Sequence, residues 1–374
     1  MTFQVQSPQQ FKQLLMVGGV NKYYQIARCY RDEGAKPDRQ PEFTQLDIEL
    51  TFTSEEKIRD MIEELLRQSW PTDQVPAEPF PKLSYSESMS KFGSDKPDMR
   101  IPNEIQTIAF HEKRFIKAIV FKKSQLVKEL SKSASKSIEK DVKKLFESLI
   151  VSYFEMENDN IKTGVKKFFP KENVQVQADS GDFGFLVLGP NEQDVQLCVG
   201  RLRTLMIEKY LNVDPKQLAF LWVVDFPMFV PREDGQMGLE AAHHPFTRPK
   251  DEHIHLLKTQ PEKMLAQHYD LVLNGQEIGG GSIRIHEPEM QKYILENVLK
   301  EDTSELKHML EALSFGCPPH GGIALGLDRL IGIVCQAKSI RDVIAFPKTT
   351  GGKDLMSEAP TKITDQEKDY YHLK

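Results

Sequence analysis

The chain has 374 residues, 39% of them apolar, and 49 basic against 55 acidic residues leave a formal net charge of −6. That length suits two globular domains, and the acidic balance excludes a global attraction for nucleic acid, so any RNA contact must use local basic clusters. Cys29, Cys198, Cys317 and Cys335 are scattered with no CxxC pair, which argues against a zinc site or disulfide framework and fits a reducing compartment; no apolar run approaches the roughly 18 residues of a membrane span.

In chain order, a strand-like TFQVQ leads into SPQQFKQLLMVGG, the pattern of a helix capped by Ser7 with Pro8 in its first turn. MTFQVQSPQQFK has the make-up of neither a signal peptide nor an Arg-rich transit peptide, and so abrupt a start reads as a fragment or a shortened isoform. Residues 23–52, YYQIARCYRDEGAKPDRQPEFTQLDIELTF, then set a charged loop between two strands. A period of two puts Leu46, Ile48, Leu50 and Phe52 on one face, expected in the core, and Phe43, Gln45, Asp47 and Glu49 on the other. Arg31 closes the first strand, and the loop carries Glu33, Lys36, Asp38 and Arg39 over the polar face. Two readings fit: an amphipathic hairpin whose outer face meets water, or a site where an anion and a base both find partners.

Residues 54–69, SEEKIRDMIEELLRQS, predict a helix capped by Ser54, with Glu55 and Glu56 at its positive end and Pro71 to stop it. Its apolar stripe is Ile58, Met61, Ile62, Leu65 and Leu66. After a Pro-rich linker the composition shifts near Ile101. Residues 101–215 combine strand-like IKAIVF and FGFLVLG with a lysine-rich helical stretch, QLVKELSKSASKSIEKDVKKLFESLI, and read as an inserted α+β module. Its lysines suit an RNA-facing surface or a solvated helix face, and the interspersed Glu129, Glu139 and Asp141 favour the second. From Gln217 onward, LAFLWVVDFPMF, a hairpin, a helix started by Pro288 and a Gly-rich strand predict one mixed or antiparallel sheet with packed helices.

In HYDLVLNGQEIGGGSIRIHEPE, Asn-Gly between alternating runs predicts a type I′ turn at Asn274-Gly275, which sets Asp270 diagonal to Glu277 on one face. The two are either an exposed acidic pair on an ordinary hairpin or a seat for Mg2+ against phosphates, since that cation takes hard oxygen ligands. Gly279, Gly280 and Gly281 weaken a strand unless another chain or a ligand approaches its backbone. In AAHHPFT, His243 and His244 point to opposite sides of an extended segment, which speaks against zinc. PPHGGIALGLDRLIGIV reads as a Gly-rich strand entering a helix whose first turn carries Arg329, a position that on its own also fits a surface cation.

These strings resemble one family. RDE followed by DRQPEFTQ resembles motif 2 of the class II aminoacyl-tRNA synthetases in the spelling of the aspartyl enzymes, and PPHGGIALGLDRLIGIV resembles motif 3. SYSESMSKFGSDKPDMRIP resembles a connector of the bacterial and organellar aspartyl enzymes, which carry an insertion where residues 101–215 stand. The resemblance covers residues 3–100 and 216–362 and implies an α+β fold: a class II synthetase-like antiparallel sheet flanked by helices, with an inserted α+β domain. Residues 1–100 and 216–374 would form the catalytic core with a C-terminal extension, and 101–215 the insertion.

The activity so implied is ATP-dependent conversion of L-aspartate to aspartyl-adenylate and its transfer to the 3′ end of tRNA(Asp). By residue, the resemblance implies Arg31 on the α-phosphate and Arg329 on the γ-phosphate as the catalytic cations. Phe43 would stack on adenine, with Gln40 and Glu277 also at ATP, and Asp270 and Glu277 would hold Mg2+. Ser7, Gln9 and Asp47 would face the amino end of aspartate, Lys12 and Arg284 its side-chain carboxylate, and Gln45 and His243 the same pocket. Two cations there favour a carboxylate over the amide of asparagine. Arg284 lies an odd number of residues from Glu277, so a bulge within the glycine run is expected to bring it to that face. Glu33, Lys36 and Arg39 would meet the tRNA acceptor end.

The upstream OB-fold that reads the anticodon, and the motif 1 that builds the family's homodimer, have no counterpart in this sequence, which leaves dimerisation of this chain in question. The implied location is the mitochondrial matrix, with bacterial cytoplasm as the alternative, and no membrane. Two other readings stand beside this one: an asparaginyl or lysyl relative, and a truncated isoform that binds RNA or a partner without making aspartyl-tRNA.

Overall fold

The alternating segments at residues 22–51 and the glycine-rich strands near the C-terminal end build one sheet, in a unit formed by Met1–Ser54 with Ile278–Lys374. Glu55–Glu277 form a second unit. The computed structural model describes residues 6–31, 39–72, 74–111, 114–158, 160–162, 175–232, 234–349 and 351–373.

The chain opens with α1 (Gln9–Val17), β1 (Lys22–Tyr30) and β2 (Glu42–Thr51). Ser7 does not cap α1, because the helix begins one residue later than expected and Pro8, which has no side-chain acceptor, is its N-cap. β1 and β2 pair antiparallel from Lys22↔Leu50 to Tyr30↔Glu42, and Arg31 N–H donates to the Pro41 carbonyl at 2.9 Å to close the loop.

The second unit begins with α2 (Glu55–Ser69), β3 (Lys82–Ser84) and α3 (Tyr85–Phe92). Ile58, Ile62 and Leu66 of α2 are buried as the helical period predicts, and Glu63 is buried beside them. The Glu63 carboxylate accepts from Trp222 Nε1 at 2.9 Å and from Phe80 N at 3.2 Å, so its burial is satisfied. α3 is stopped by Gly93, left-handed at φ 63°, and begun by a reciprocal Ser84–Glu87 capping box.

Next come β4 (Gln106–His111), β5 (Arg114–Phe121), α4 (Lys132–Lys143), β6 (Ile150–Glu157), β7 (Asn160–Ile161), β8 (Phe183–Gly189) and α5 (Glu192–Lys209). The strands form an antiparallel five-stranded sheet in the order β4-β5-β8-β6-β7. β8 is buried along its whole length. One face packs Ile119, Phe121, Phe185 and Val187 on residues of α4 and α5, including Ile138, Val142, Val195 and Leu202; the other gathers Ile116, Ala118, Leu186 and Phe154. The lysine-rich helix is shorter than expected: residues 126–131 are not helical, Ser131 caps α4, and Ile150 already starts β6. Lys132, Lys136, Lys140 and Lys143 are exposed, as a solvated face requires.

The second unit continues with β9 (Phe220–Val224), β10 (Phe229–Pro231), β11 (Leu239–Ala241) and β12 (His268–Leu273). β9 pairs parallel with β3 and antiparallel with β12. β13 (Gln276–Ile283) carries the chain into the first unit, followed by α6 (Pro288–Tyr293), α7 (Lys307–Ser314), β14 (His320–Gly326), α8 (Leu327–Val334) and α9 (Asp365–Tyr370). In the first unit β14 lies between β2 and β13, antiparallel to both, so the order there is β1-β2-β14-β13. The whole is a mixed α+β architecture of largely antiparallel sheets flanked by helices. No helix among the described residues is long and apolar enough to cross a membrane.

Two expectations fail at β2 and β13. The polar face of β2 is its more buried face, with Asp47 1% and Glu49 0% exposed against 8% for Ile48, while Leu46 and Leu50 are only half-buried. Phe52 is not core: the strand ends at Thr51, and Phe52 turns to φ 52° and is 70% exposed. The expected bulge within the glycine run is absent, because Gly279↔Leu325 through Ile283↔Gly321 pair without a shift of register. Gly279 serves close packing instead: a Cβ there would meet Leu325 Cδ2 at 2.4 Å.

Candidate active site

In the first unit, α1 brings Lys12 onto the buried polar face of β2, and β14 and then β13 continue the sheet beside it. α1 delivers Lys12, whose Nζ lies 3.0 Å from Asp47 Oδ1 and 3.2 Å from Glu49 Oε2. Arg284 follows β13 and, two residues past Ser282, shares its face. Its Nε donates to Glu49 Oε1 at 3.0 Å, Nη2 to Oε2 at 3.4 Å and Nη1 to Ser282 Oγ at 2.7 Å. Thus Arg284 reaches the polar face from a regular strand end, without the bulge.

Gly322 makes room for this arrangement. It pairs with Glu49, and a Cβ there would come within 2.1 Å of Ile48 O and 2.2 Å of Glu49 Oε2. Burial pushes the Glu49 carboxyl up, but Arg284 and then Lys12 outweigh it and hold the group below its ordinary range. The four charges of Lys12, Arg284, Asp47 and Glu49 therefore cancel. Among the described residues Asp47 Oδ2 is buried with no hydrogen-bond partner, a state that costs about 1–3 kcal/mol when no donor reaches it.

A buried amide chain backs the set. Gln9 Nε2 donates to Gln13 Oε1 at 3.0 Å, and Gln13 Nε2 lies 3.1 Å from His320 Nε2. His320 Nδ1 lies 2.9 Å from the Pro318 carbonyl, which can only accept, so Nδ1 carries the hydrogen and Nε2 accepts from Gln13. Burial lowers the His320 pKa and keeps the ring neutral.

At the start of β2, Arg31, which follows β1, places its guanidinium carbon 5.2 Å from the centroid of the Phe43 ring. Gln45 accepts from Cys29 Sγ at 3.2 Å. Thr44 N donates to Asp328 Oδ2 at 2.7 Å, which ties the start of α8 to β2 and fixes the turn that bears Arg329. Gln40 is buried with its amide engaged, accepting from Lys348 N at 2.7 Å and donating to Arg39 O at 3.1 Å, which suits an anchor for the loop end. Ser7 is partly exposed and Arg39 exposed. Glu33 and Lys36 lie outside the described residues.

The second unit holds the acidic hairpin. Asn274 and Gly275 have φ of 51° and 78°, the doubly positive pair of a type I′ turn. Asn274 secures it, accepting from Ala219 N and donating to Gln217 O, both at 2.9 Å. Asp270 is buried, and burial pushes its carboxyl up to about 6, with Asp95 adding to the effect and His243 and Lys96 opposing it. Lys96 Nζ lies 3.6 Å from Glu277 Oε2 and 3.4 Å from Asp95 Oδ2. Burial lowers the Lys96 pKa, but Asp95, Glu277 and Asp270 outweigh it and raise it, so this cation sits in the field of both expected metal ligands.

His243 stacks on His268 with centroids 3.7 Å apart, whereas His244 packs beside Phe246 at 4.7 Å. Burial and the neighbouring His268 push His243 down to about 4. Among the described residues no group of three or more His, Cys, Asp or Glu is arranged to hold a metal ion. Asp270 and Glu277 still fit Mg2+, which is typically held by one or two carboxylates with phosphates and water completing its shell.

Sequence reading did not single out Lys96, Gln13, Asp328, His320, Ser282 or His268, and gave Glu49 no role beyond the polar face. Period-two spacing was the available signal for two of them, since Ser282 and His268 each stand two residues before a named site residue.

The family model for tRNA synthetases class II (D, K and N) matches residues 2–350. A mitochondrial aspartate–tRNA ligase of Mus musculus is 46% identical over 394 residues, 98% of this chain and 60% of that protein. An aspartate–tRNA(Asp/Asn) ligase of Opitutus terrae is 39% identical over 399 residues, 99% of this chain and 66% of that protein. The aspartyl tRNA synthetase of Entamoeba histolytica, a solved structure, overlaps 93% of this chain and 52% of its own at 19% identity and a TM-score of 0.48. The chain thus spans about 60% of the length of the first of these relatives. With a family match over 349 consecutive residues, counted from 2 to 350, the chain belongs to the class II tRNA synthetases of the D, K and N group.

Proposed function

We propose that this protein is an aspartate–tRNA ligase of the mitochondrial type, activating L-aspartate with ATP and transferring it to tRNA(Asp). The observation that carries the reading is the buried Lys12–Asp47–Glu49–Arg284 set, with one carboxylate oxygen of Asp47 left without a donor. An amino acid with an anionic side chain suits it: its ammonium satisfies Asp47 Oδ2, and its side-chain carboxylate takes up Arg284 and Lys12. The relatives' names and the two cations favour aspartate over lysine or asparagine.

The chemistry asks for no protein nucleophile. The α-carboxylate of aspartate attacks the α-phosphorus of ATP, a P–O bond forms, the bond to the bridging oxygen breaks and pyrophosphate leaves. The terminal hydroxyl of the tRNA adenosine then attacks the adenylate carbonyl, and AMP leaves. Arg31 takes the α-phosphate, where charge grows in the transition state, Arg329 takes the γ-phosphate and Phe43 takes adenine. Asp270 and Glu277 would hold Mg2+, which when bound shields the charge of the phosphates.

Ser7, Gln9, Gln45 and His243 belong on this reading to the amino-acid pocket, and Glu33, Lys36 and Arg39 to the acceptor end. Gln40 acts as the anchor that its hydrogen bonds describe. Residues 101–215 would be an inserted module within a core of 1–100 and 216–374; the longer family members form homodimers, and dimerisation of this chain stays an open part of the reading. The mitochondrial matrix is the favoured location, because the mitochondrial relative is the more similar of the two reported.

The test is ATP–pyrophosphate exchange with aspartate, asparagine or lysine, on this chain and on one extended upstream. Exchange with aspartate alone is expected. Exchange with lysine or asparagine alone overturns the substrate, and activity confined to the longer chain would make this chain a binding fragment.

A further inference from the structure

We propose that His268 is a positioning residue for Asp270, fixing the carboxylate that receives the divalent cation; this rests on the reading of Asp270 as a metal ligand. The two residues stand two apart on β12 and so share a face of the strand. His268 Nε2 lies 2.9 Å from Asp270 Oδ1. An ionised carboxylate only accepts, so Nε2 carries the hydrogen. Among the described residues, this is the hydrogen bond that Asp270's carboxylate receives.

The imidazole is itself held in one orientation. His243 lies flat against it, 3.7 Å away and 11° from parallel. Phe226 meets His268 edge-on at 5.0 Å and 87°, and meets His243 in the same way at 4.8 Å and 89°. Three rings thus clamp one another, and the atom by which His268 reaches Asp270 is Nε2. Tying Oδ1 removes the freedom of the carboxylate to rotate and reserves Oδ2 for a cation. Partners of this kind behind a metal ligand set its orientation, and removing one typically weakens metal affinity by about 10–100-fold.

This arrangement differs from general packing in a way that can be measured. His268→Phe keeps an aromatic ring in the stack and removes the donor, whereas His268→Gln removes the ring and keeps an N–H within reach. Binding of Mn2+ in the presence of α,β-methylene ATP, followed by the loss of the free-ion EPR signal, is the direct readout. His268→Phe should weaken Mn2+ binding by about tenfold or more, and His268→Gln should recover part of it. Melting temperatures of both variants separate a lost fold from a lost ligand.

Asp270→Asn is the reference. If it leaves Mn2+ binding intact, the metal-ligand reading itself fails. If Asp270→Asn abolishes binding while His268→Phe binds like the parent, only the positioning role is overturned. Equal loss in His268→Phe and His268→Gln would also overturn it, since the donor would then make no difference.

Discussion

Arg284 and Glu49 hold each other in the dry interior of the first unit, and breaking such a pair from one side leaves an uncompensated buried charge. Glu49→Gln is expected to cost about 3–5 kcal/mol, read as a lower denaturation midpoint. The same residue sets an acid limit. Its carboxyl is depressed in the folded state, so the folded chain binds fewer protons than the unfolded one between the two pKa values. The stability it contributes is complete above the ordinary glutamate range and is lost as pH falls through the depressed value. The melting temperature should therefore fall on acidification in the parent and more gently in Glu49→Gln; equal slopes would contradict the assignment. Asp47→Asn keeps the size of the side chain but replaces its acceptor charge, and should raise the aspartate KM about 10–100-fold, with a far smaller effect on the ATP KM. Alternation in the sequence placed Phe43, Gln45, Asp47 and Glu49 together on one face. It did not reveal that this face is the buried one, because burial comes from Lys12 of α1 and from Gly321 and Gly322 of β14, partners remote in the chain.

At the scale of elements, β14 can approach β2 only because Gly322 has no side chain. Gly322→Ala sets a Cβ against backbone and should destabilise by about 1–3 kcal/mol or more, whereas Gly326→Ala, whose Cβ would find Ile278 O at 3.9 Å, should stay within about 0.5 kcal/mol. Urea midpoints compare the two, and an unaffected Gly322→Ala would show that the strands can separate. The Asn274-Gly275 hairpin and the strand-to-helix step before Arg329 were legible because a turn or a helix start needs few residues to specify it. α5 was missed for a physical reason. Val195, Cys198, Val199, Leu202, Arg203 and Met206 are all buried, so the helix lacks the clean polar stripe that marks a surface helix. The glycine run of β13 misled in the opposite direction, since a bulge and close strand packing ask for the same residue type.

For the whole molecule, the proposed ligands bind the folded chain alone, so saturating aspartate with a non-hydrolysable ATP analogue should raise its melting temperature. At a hundred times the dissociation constant the gain is about 2.7 kcal/mol. A scan that moves with lysine in place of aspartate would reassign the substrate. The exposed lysines of α4 should matter little to this: replacing Lys132, Lys136, Lys140 and Lys143 with glutamine should leave pyrophosphate exchange unchanged. The cancelled charges around Glu49 carry a last consequence. Because the two cations already have anionic partners, on the proposed reading aspartate would not fall into a positive well; its side chain would displace a resident carboxylate, one for one. Its capture should then depend weakly on ionic strength, as an exchange of partners does and as electrostatic steering does not.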